Sequence, residues 1–277
     1  MKNILIPTDF SENANNAIDY ALQLHKNEKC VFHILNTYVP EIIHSRFMAS
    51  STVLIDGIET ESKTQLQRTL RIIKKQYPDE LYEFNIISSF EILTNKMVEI
   101  VENKDIDLVV SGTKGMSSIK QVFMGTNTVK MIKTIKNCPL LGVPENCTYT
   151  KPINIALATD LKRSFSTLAL NSLLDIAKRF NATIHITHIQ TKTKLDKIQQ
   201  ANLKILEDYL SNTQYKIHFL TSYAYKSEVI NDFSNENESN MLALVYNEHG
   251  YLENLMREPV VKNIVNYSSV PILVLPC

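Results

Sequence analysis

The first half of the chain alternates short apolar runs with longer segments in which apolar residues recur every three or four positions. The short runs are typical of strands buried in a parallel sheet, whereas the longer spacing predicts helices with one buried face. The predicted strands are Asn3–Pro7, Cys30–Tyr38, Phe84–Ser88, Asp107–Ser111 and Pro139–Val143, and the predicted helices are residues 14–24, Glu59–Tyr77, Ile92–Asn103 and Thr126–Lys136. Strands that alternate with helices indicate an α/β fold.

The pattern of the first half recurs in the second half. Asn3-Ile-Leu-Ile-Pro-Thr-Asp9 reappears as Asn154-Ile-Ala-Leu-Ala-Thr-Asp160. Two further matches follow in the same order, Val31–Asn36 with Thr183–His188 and Pro139–Pro144 with Pro271–Pro276. Three matches in one order predict a tandem duplication, with one domain over residues 1–147 and a diverged copy over residues 151–277.

Length and composition agree with two soluble domains and exclude several classes of protein. The 277 residues suffice for about two ordinary domains, and 29 basic residues balance 29 acidic ones. A global basic field for nucleic acid or an anionic membrane is therefore missing. Four scattered cysteines form no CxxC pair, and no run approaches the ~20 apolar residues that cross a bilayer. We expect a cytoplasmic protein that binds neither nucleic acid nor membrane.

Glycines cluster where the fourth predicted strand ends. Ser111-Gly-Thr-Lys-Gly115 follows this strand, and Gly125-Thr-Asn-Thr128 opens the next helix. In open parallel sheets, ligands bind beyond the carboxyl ends of the strands. Glycine lets backbone N–H groups approach a ligand, and a helix N-terminus favours an anion. The spacing predicts a phosphate cradle that is neither a Walker loop nor a Rossmann turn.

Together these motifs resemble the universal stress protein family. The resemblance rests on Gly-x2-Gly-x9-Gly-Thr at Gly112–Thr126, on Ile4-Leu-Ile-Pro-Thr-Asp9 and on Cys138-Pro-Leu-Leu-Gly-Val143. It covers the first half closely and the second half as a diverged copy. The resemblance implies two tandem open five-stranded parallel sheets with strand order 3-2-1-4-5 and helices on both faces. The switch in strand order then lies between the first and fourth strands of each half.

The resemblance also implies a nucleotide site. In ATP-binding members of the family, the aspartate after the first strand contacts the ribose or adenine, the position of Thr37 lies against the adenine, and the glycine loop holds the phosphates. The carried-over positions are Pro7, Thr8, Asp9, Thr37, Gly112, Thr113, Lys114, Gly115, Gly125, Thr126 and Asn127. Thr128 is added because its hydroxyl is close to the helix start. ATP, ADP or AMP is the expected ligand, with Mg²⁺ accompanying the phosphates although no carboxylate cluster marks a metal site.

The second half departs from the glycine pattern. Its loop reads Asn247-Glu-His-Gly250, and alignment from the last strand sets Arg257-Glu258 opposite Gly125-Thr126. A glutamate there repels phosphates, so the sequence predicts one nucleotide site per chain, in the first half. A phosphate-free ligand around Asp160 and His188 is the alternative for the second half.

Several of these residues have a simpler structural interpretation. Asp9 in Asp-Phe-Ser suits a helix N-cap, Lys114 suits a solvated loop, and His33 and His185 lie in apolar strands as core histidines do. No GxSxG elbow, HExxH motif or Cys–His pair is present in the sequence. We therefore predict no catalytic residues.

The sequence thus favours an ATP-binding stress-response protein in which the nucleotide has a regulatory or sensing role. The alternatives are a pseudo-symmetric interaction scaffold without required nucleotide and a weak ATPase. The last strands of the two halves, at Pro139 and Pro271, are expected to pair or pack as sheet edges, so that one chain reproduces a dimer. For the partly apolar segment Val39–Thr60, two roles stay open: a contact between two chains in a further homodimer, or a lid over the adenine.

Overall fold

The computed structural model describes residues 1–38, 52–78, 80–113, 126–190, 194–221, 226–245 and 270–276. The first half contains β1 (Lys2–Pro7), α1 (Glu12–Leu24), β2 (Cys30–Thr37), α2 (Thr52–Gln76), β3 (Tyr82–Ser89), α3 (Leu93–Asn103), β4 (Leu108–Gly112), α4 (Thr126–Thr134) and β5 (Leu140–Val143). The second half contains β6 (Asn154–Ala158), α5 (Thr167–Phe180), β7 (Thr183–Gln190), α6 (Lys197–Leu210), β8 (Tyr215–Thr221), α7 (Lys226–Glu236), β9 (Met241–Val245) and β10 (Ile272–Leu275). The strands and helices predicted for the first half are all present.

Helix α2 begins earlier than the sequence predicts, at Thr52 rather than at Glu59. Residues 52–58 contain no proline, and a continued helix pairs their backbone N–H and C=O groups. Gly57 weakens the added turns by about 1 kcal/mol relative to alanine. The Val39–Thr60 segment is therefore helical from Thr52 onward, and its residues 39–51 lie outside the described part of the chain.

The strands form one ten-stranded sheet in the order β3-β2-β1-β4-β5-β10-β9-β6-β7-β8. Each half has the predicted order 3-2-1-4-5, and the pairs within each half are parallel. The two halves join through β5 and β10, which pair antiparallel with Leu141 opposite Leu273. The predicted pairing of the two last strands is confirmed. Because each covers the other's edge, neither leaves its backbone groups open on that side.

Helices cover both faces of the sheet. Side chains alternate along β1, so that Ile4 and Ile6 enter one core and Leu5 enters the other. The first core takes Leu66 of α2 and further residues of α1, α5 and α6, whereas the second takes Met97 of α3 and residues of α4 and α7. The predicted α/β fold class is confirmed. No helix within the described ranges is both long and apolar enough to cross a membrane.

The halves also meet where α1 and α5 end. Arg179 of α5 donates to the carbonyl of Leu24 at 3.1 Å and to Glu28 Oε2 at 2.8 Å. Lys2 pairs with Asp175 nearby. Arginine suits this position because its planar guanidinium presents several donors at once. A polar contact between the halves therefore adds to the shared sheet and the shared core.

Candidate functional site

Three strand ends of the first half meet at one edge of the sheet. Strand β1 lies between β2 and β4, with Pro7 opposite Leu35 and Leu5 opposite Val109. All three strands are parallel, so their carboxyl ends open on the same edge. The chain leaves β1 toward β2 and returns to β4 on the other side, which makes this edge a switch point of the kind where α/β proteins bind ligands.

Asp9 belongs to a tight turn that links β1 to α1. The backbone N–H of Phe10 donates to Thr8 Oγ1 at 3.0 Å, and that of Ser11 donates to Asp9 Oδ1 at 3.1 Å. Phe10 has φ 62°, a left-handed conformation that costs a non-glycine residue about 1 kcal/mol or more. The N-cap interpretation of Asp9 is wrong, because Ser11 is the N-cap and accepts from Ala14 N. Asp9 is half-buried at the crevice.

A buried polar network, which the sequence did not reveal, holds the end of β1. Asn36 Nδ2 donates to the carbonyl of Thr8 at 2.7 Å, and Asn36 Oδ1 accepts from the hydroxyl of Ser62 at 2.7 Å. The hydroxyls of Ser62 and Ser88 lie 2.8 Å apart. The network joins the residue that follows β1 to β2, β3 and α2, and Asn36 immediately precedes Thr37, which is half-buried at the end of β2. A polar residue in the apolar run of β2 was the available signal.

Gly112 ends β4 in close contact with α1. A Cβ atom on Gly112 would lie 2.6 Å from Asn13 Oδ1 and 3.0 Å from the Asn13 carbonyl oxygen. Asn13 is buried and donates to the carbonyl of Val143 at 3.0 Å. The packing of α1 against β4 therefore requires a glycine at position 112, independently of whether a ligand also approaches the backbone there.

The start of α4 is tied to the same strand end. Thr128 Oγ1 donates to the carbonyl of Gly112 at 3.2 Å, so this hydroxyl, predicted for the ligand, is engaged with the backbone. Thr113 and Thr128 are both buried, and Asn127 is exposed. Thr126 is the first residue of α4. Lys114, Gly115 and Gly125 lie outside the described residues.

The second half repeats the first turn. Leu161 N donates to Thr159 Oγ1 at 3.0 Å, Lys162 N donates to Asp160 Oδ1 at 3.0 Å, and Leu161 has φ 58°. His188 stands where Asn36 stands and contacts the carbonyl of Thr159 at 3.0 Å through Nδ1. The two halves therefore present Asp9 and Asp160 in the same local geometry. The second-half loop at residues 246–269 lies outside the described residues.

His33 and His185 occupy matching core positions. Each ring contacts the side-chain oxygen of an asparagine near the start of the first strand of its half, Asn3 at 3.2 Å and Asn154 at 3.4 Å. Burial lowers the pKa of both imidazoles. His185 also stacks on His218, with Nδ1 and Nε2 3.1 Å apart. The core interpretation of the two histidines is confirmed.

One cluster in the described part of the chain has metal-ligand chemistry but lies away from the crevice. His25, Glu28 and Cys30 bring their ligating atoms within 4.8 Å of one another at the amino end of β2. The Arg179 guanidinium contacts Glu28 and opposes a second cation there. Burial raises the pKa of the Cys30 thiol to about 11, which keeps it protonated at neutral pH.

Comparison with known proteins yields one family. A sequence profile of the universal stress protein family matches residues 1–144. Universal stress protein MJ0577 of Methanocaldococcus jannaschii is 28% identical over 155 residues, which cover 51% of this chain and 94% of that protein.

Solved structures match along the whole chain. A universal stress protein from Archaeoglobus fulgidus DSM 4304 superposes with a TM-score of 0.68 at 16% identity, covering 99% of this chain and 98% of its own. The functionally unknown protein PA1789 from Pseudomonas aeruginosa PAO1 superposes with a TM-score of 0.55 at 14% identity, covering 100% of this chain and 92% of its own. At such identities the likeness shows the fold.

Proposed function

The chain belongs to the universal stress protein family, and from that premise we propose that it is a cytoplasmic protein that binds ATP in residues 1–147 as a regulatory or sensing ligand. One observation carries the proposal: Asp9, Thr37 and Gly112 end three adjacent parallel strands at the switch point of the first half. A ligand seated on this edge reaches all three residues. ADP and AMP share the base and ribose and are expected to use the same contacts.

The proposed roles follow the chemistry of each position. Asp9 accepts from the ribose or adenine, Thr37 lies against the base, and Pro7 and Thr8 shape the wall beside it. The loop from Gly112 to Gly115 and the start of α4 supply N–H groups for the phosphates. Thr113, Lys114, Gly125, Thr126 and Asn127 complete the loop, and Mg²⁺ is expected on the phosphate oxygens. Thr128 acts indirectly, because its hydroxyl bonds Gly112.

We propose one nucleotide site per chain. The second half keeps Asp160 in the geometry of Asp9, but its loop carries Asn247 and Glu258 at positions of glycine and threonine. A carboxylate near the phosphates costs binding energy through like-charge repulsion. A ligand of the second half would therefore lack phosphates and would contact Asp160 and His188.

Calorimetric titration with MgATP tests the proposal on the full chain. We expect one equivalent bound, an affinity about tenfold lower for Asp9→Ala because a charge-assisted hydrogen bond contributes roughly 1.5 kcal/mol or more, and no binding for Gly115→Asp with Gly125→Asp. Asp160→Ala is the matched control because its turn has the same geometry, and it should bind ATP as the parent does. Two bound equivalents, or equal losses for both aspartates, would contradict a single site in the first half.

A scaffold role is the second candidate, favoured by the antiparallel pairing of β5 with β10. On this proposal, residues 1–147 and 151–277 form a dimer-like pair within one chain, and a homodimer of chains adds to it. If Gly115→Asp with Gly125→Asp abolishes ATP binding but leaves the stress phenotype of the cell intact, the scaffold is favoured. Phosphate release well above background, lost in the same variant, would instead favour a weak ATPase.

A further inference from the structure

A groove of about 400 Å³ runs between α1 and α2, and Phe10 of the turn that links β1 to α1 belongs to its lining. This volume lies in the range of small-molecule sites. Its apolar wall is formed by Phe10, Ile18, Leu22, Ile72 and Ile73. Ile72 is 55% exposed, so a ligand that covers it gains favourable burial of apolar surface.

The groove contains one carboxylate, and hydrogen bonds already surround it. Asp19 accepts from Gln23 Nε2 at 2.6 Å, from Gln76 Nε2 at 3.2 Å and from the hydroxyl of Tyr77. Three donors from the protein thus satisfy its oxygens. Asp19 therefore does not require a cationic ligand.

In the described part of the chain, the groove also contains one guanidinium, that of Arg68, which lacks the hydrogen-bond partners that surround Asp19. Among the described residues, Arg68 has no hydrogen bond or ion pair within 4.0 Å. Arg68 precedes Gln76 by eight residues, about 12 Å along the helix axis. The groove thus combines an apolar wall, a satisfied carboxylate toward the end of α2 and an unpaired cation further toward its start.

We propose that this groove binds a small amphipathic carboxylate, such as a medium-chain fatty acid. The carboxylate pairs with Arg68 in a charge-assisted contact, and the apolar body covers Ile72 and its neighbours. A cation would be repelled by Arg68, and a neutral hydrophobe would leave it unpaired. The site belongs to the first half, because the counterpart of Phe10 in the second half, Leu161, is fully buried and its carbonyl accepts from Asn202.

Calorimetric titration of the full chain with decanoate, below its micelle concentration and without nucleotide, tests this site independently of ATP. Because Arg68 is exposed, we expect one saturable equivalent, with affinity about two- to fivefold lower for Arg68→Gln, as expected for the loss of one solvent-exposed charge pair. Arg71→Gln is the matched control, because Arg71 is an exposed arginine of the same helix outside the groove lining. Decanol, with the same chain and no charge, should bind at least as weakly as decanoate binds Arg68→Gln.

A second variant tests the space rather than the charge. Thr69 lines the groove, and Thr69→Trp should fill it and abolish decanoate binding while the circular dichroism spectrum stays unchanged. Binding without saturation, or equal affinities for Arg68→Gln and Arg71→Gln, would overturn the proposal. A change of oligomeric state in Thr69→Trp, measured by sedimentation, would identify a second copy as the occupant and overturn it as well.

Discussion

Replacing Gly112 by alanine should destabilise the first half through a clash with α1. The new Cβ would lie 2.6 Å from Asn13 Oδ1 and 2.7 Å from Asn13 Cγ, whereas ordinary contacts of carbon in proteins are about 3.5–4.0 Å. Asn13 is only 3% exposed and donates to the carbonyl of Val143 at 3.0 Å. The side chain therefore cannot move aside without breaking a buried hydrogen bond.

The expected cost has two parts and one offset. Overpacking a well-packed site costs roughly 1–3 kcal/mol, and an unsatisfied buried polar group costs another ~1–3 kcal/mol. No glycine in the described part of the chain has a positive φ, so alanine at 112 brings no backbone strain and lowers unfolded-state entropy by about 0.4–1 kcal/mol in favour of folding. We expect a net loss of about 1–5 kcal/mol.

Urea unfolding followed by circular dichroism measures this loss, and two further variants isolate its cause. Gly57→Ala is the control, because a Cβ there meets nothing within 4 Å and alanine in a helix interior should stabilise by about 0.5–1 kcal/mol. Asn13→Ala removes the clashing side chain. The double variant Gly112→Ala with Asn13→Ala should therefore be at least 1 kcal/mol more stable than the sum of the single losses implies.

Two results would contradict a clash with Asn13: an unchanged urea midpoint for Gly112→Ala, or single losses that add in the double variant. Either result would mean that α1 yields easily at Asn13. Ligand approach would then be the remaining reason for a glycine at the end of β4.

Three further results are expected. Arg179→Ala should lower the free energy of unfolding by about 1–2 kcal/mol in urea, because Glu28 and the Leu24 carbonyl lose a charged donor, and an unchanged value would refute this contact between the halves. Burial lowers the pKa of four histidines in the folded state, so the unfolded state binds protons more readily. The free energy of unfolding should therefore be highest above the unfolded pKa of about 6.5 and should fall as the pH drops below it. Melting temperatures that stay constant from pH 8 to 5 would contradict this effect. The histidines concerned are His25, His33, His185 and His218. Burial raises the thiol pKa to about 11 in Cys30 and Cys147 and about 12 in Cys138, so iodoacetamide should label these three only after unfolding. Rapid labelling of any of the three in the native protein, located by peptide mass spectrometry, would contradict their burial.

Much of the fold was predictable because its signals are local. The apolar run of β1 and the three-to-four-residue spacing of α1 appear within a few residues of sequence, and both elements are present. The motifs at the ends of the first and fourth strands carried the family resemblance and, with it, the strand order. The start of α2 at Thr52 was missed, although Ser50 and Ser51 before it have the chemistry of a cap, because Gly57 within its first turns disfavours a helix.

The strand ends that carry the proposed site were predictable, and the contacts around them were not. Asp9, Thr37 and Gly112 were placed correctly at neighbouring strand ends, because the carboxyl ends of parallel strands share one edge. The network of Asn36 with Ser62 was missed, since it joins residues far apart in the sequence. From the sequence, a cap role was one interpretation of Asp9, whereas Ser11 caps α1; both residues have the chemistry of a cap, and only the turn geometry separates them.

By itself, then, the sequence determined the α/β alternation, the recurrence of its motifs and the positions of the polar residues that follow the strands, because periodicity and spacing are properties of neighbouring residues. Only the tertiary structure decided why residue 112 is a glycine, since its constraint comes from Asn13 on a different element. It also decided that Arg68 and Asp19 share one groove with different electrostatic surroundings. Such contacts depend on how α1 and α2 pack together, and the sequence of either helix alone does not determine the distances between side chains of the two.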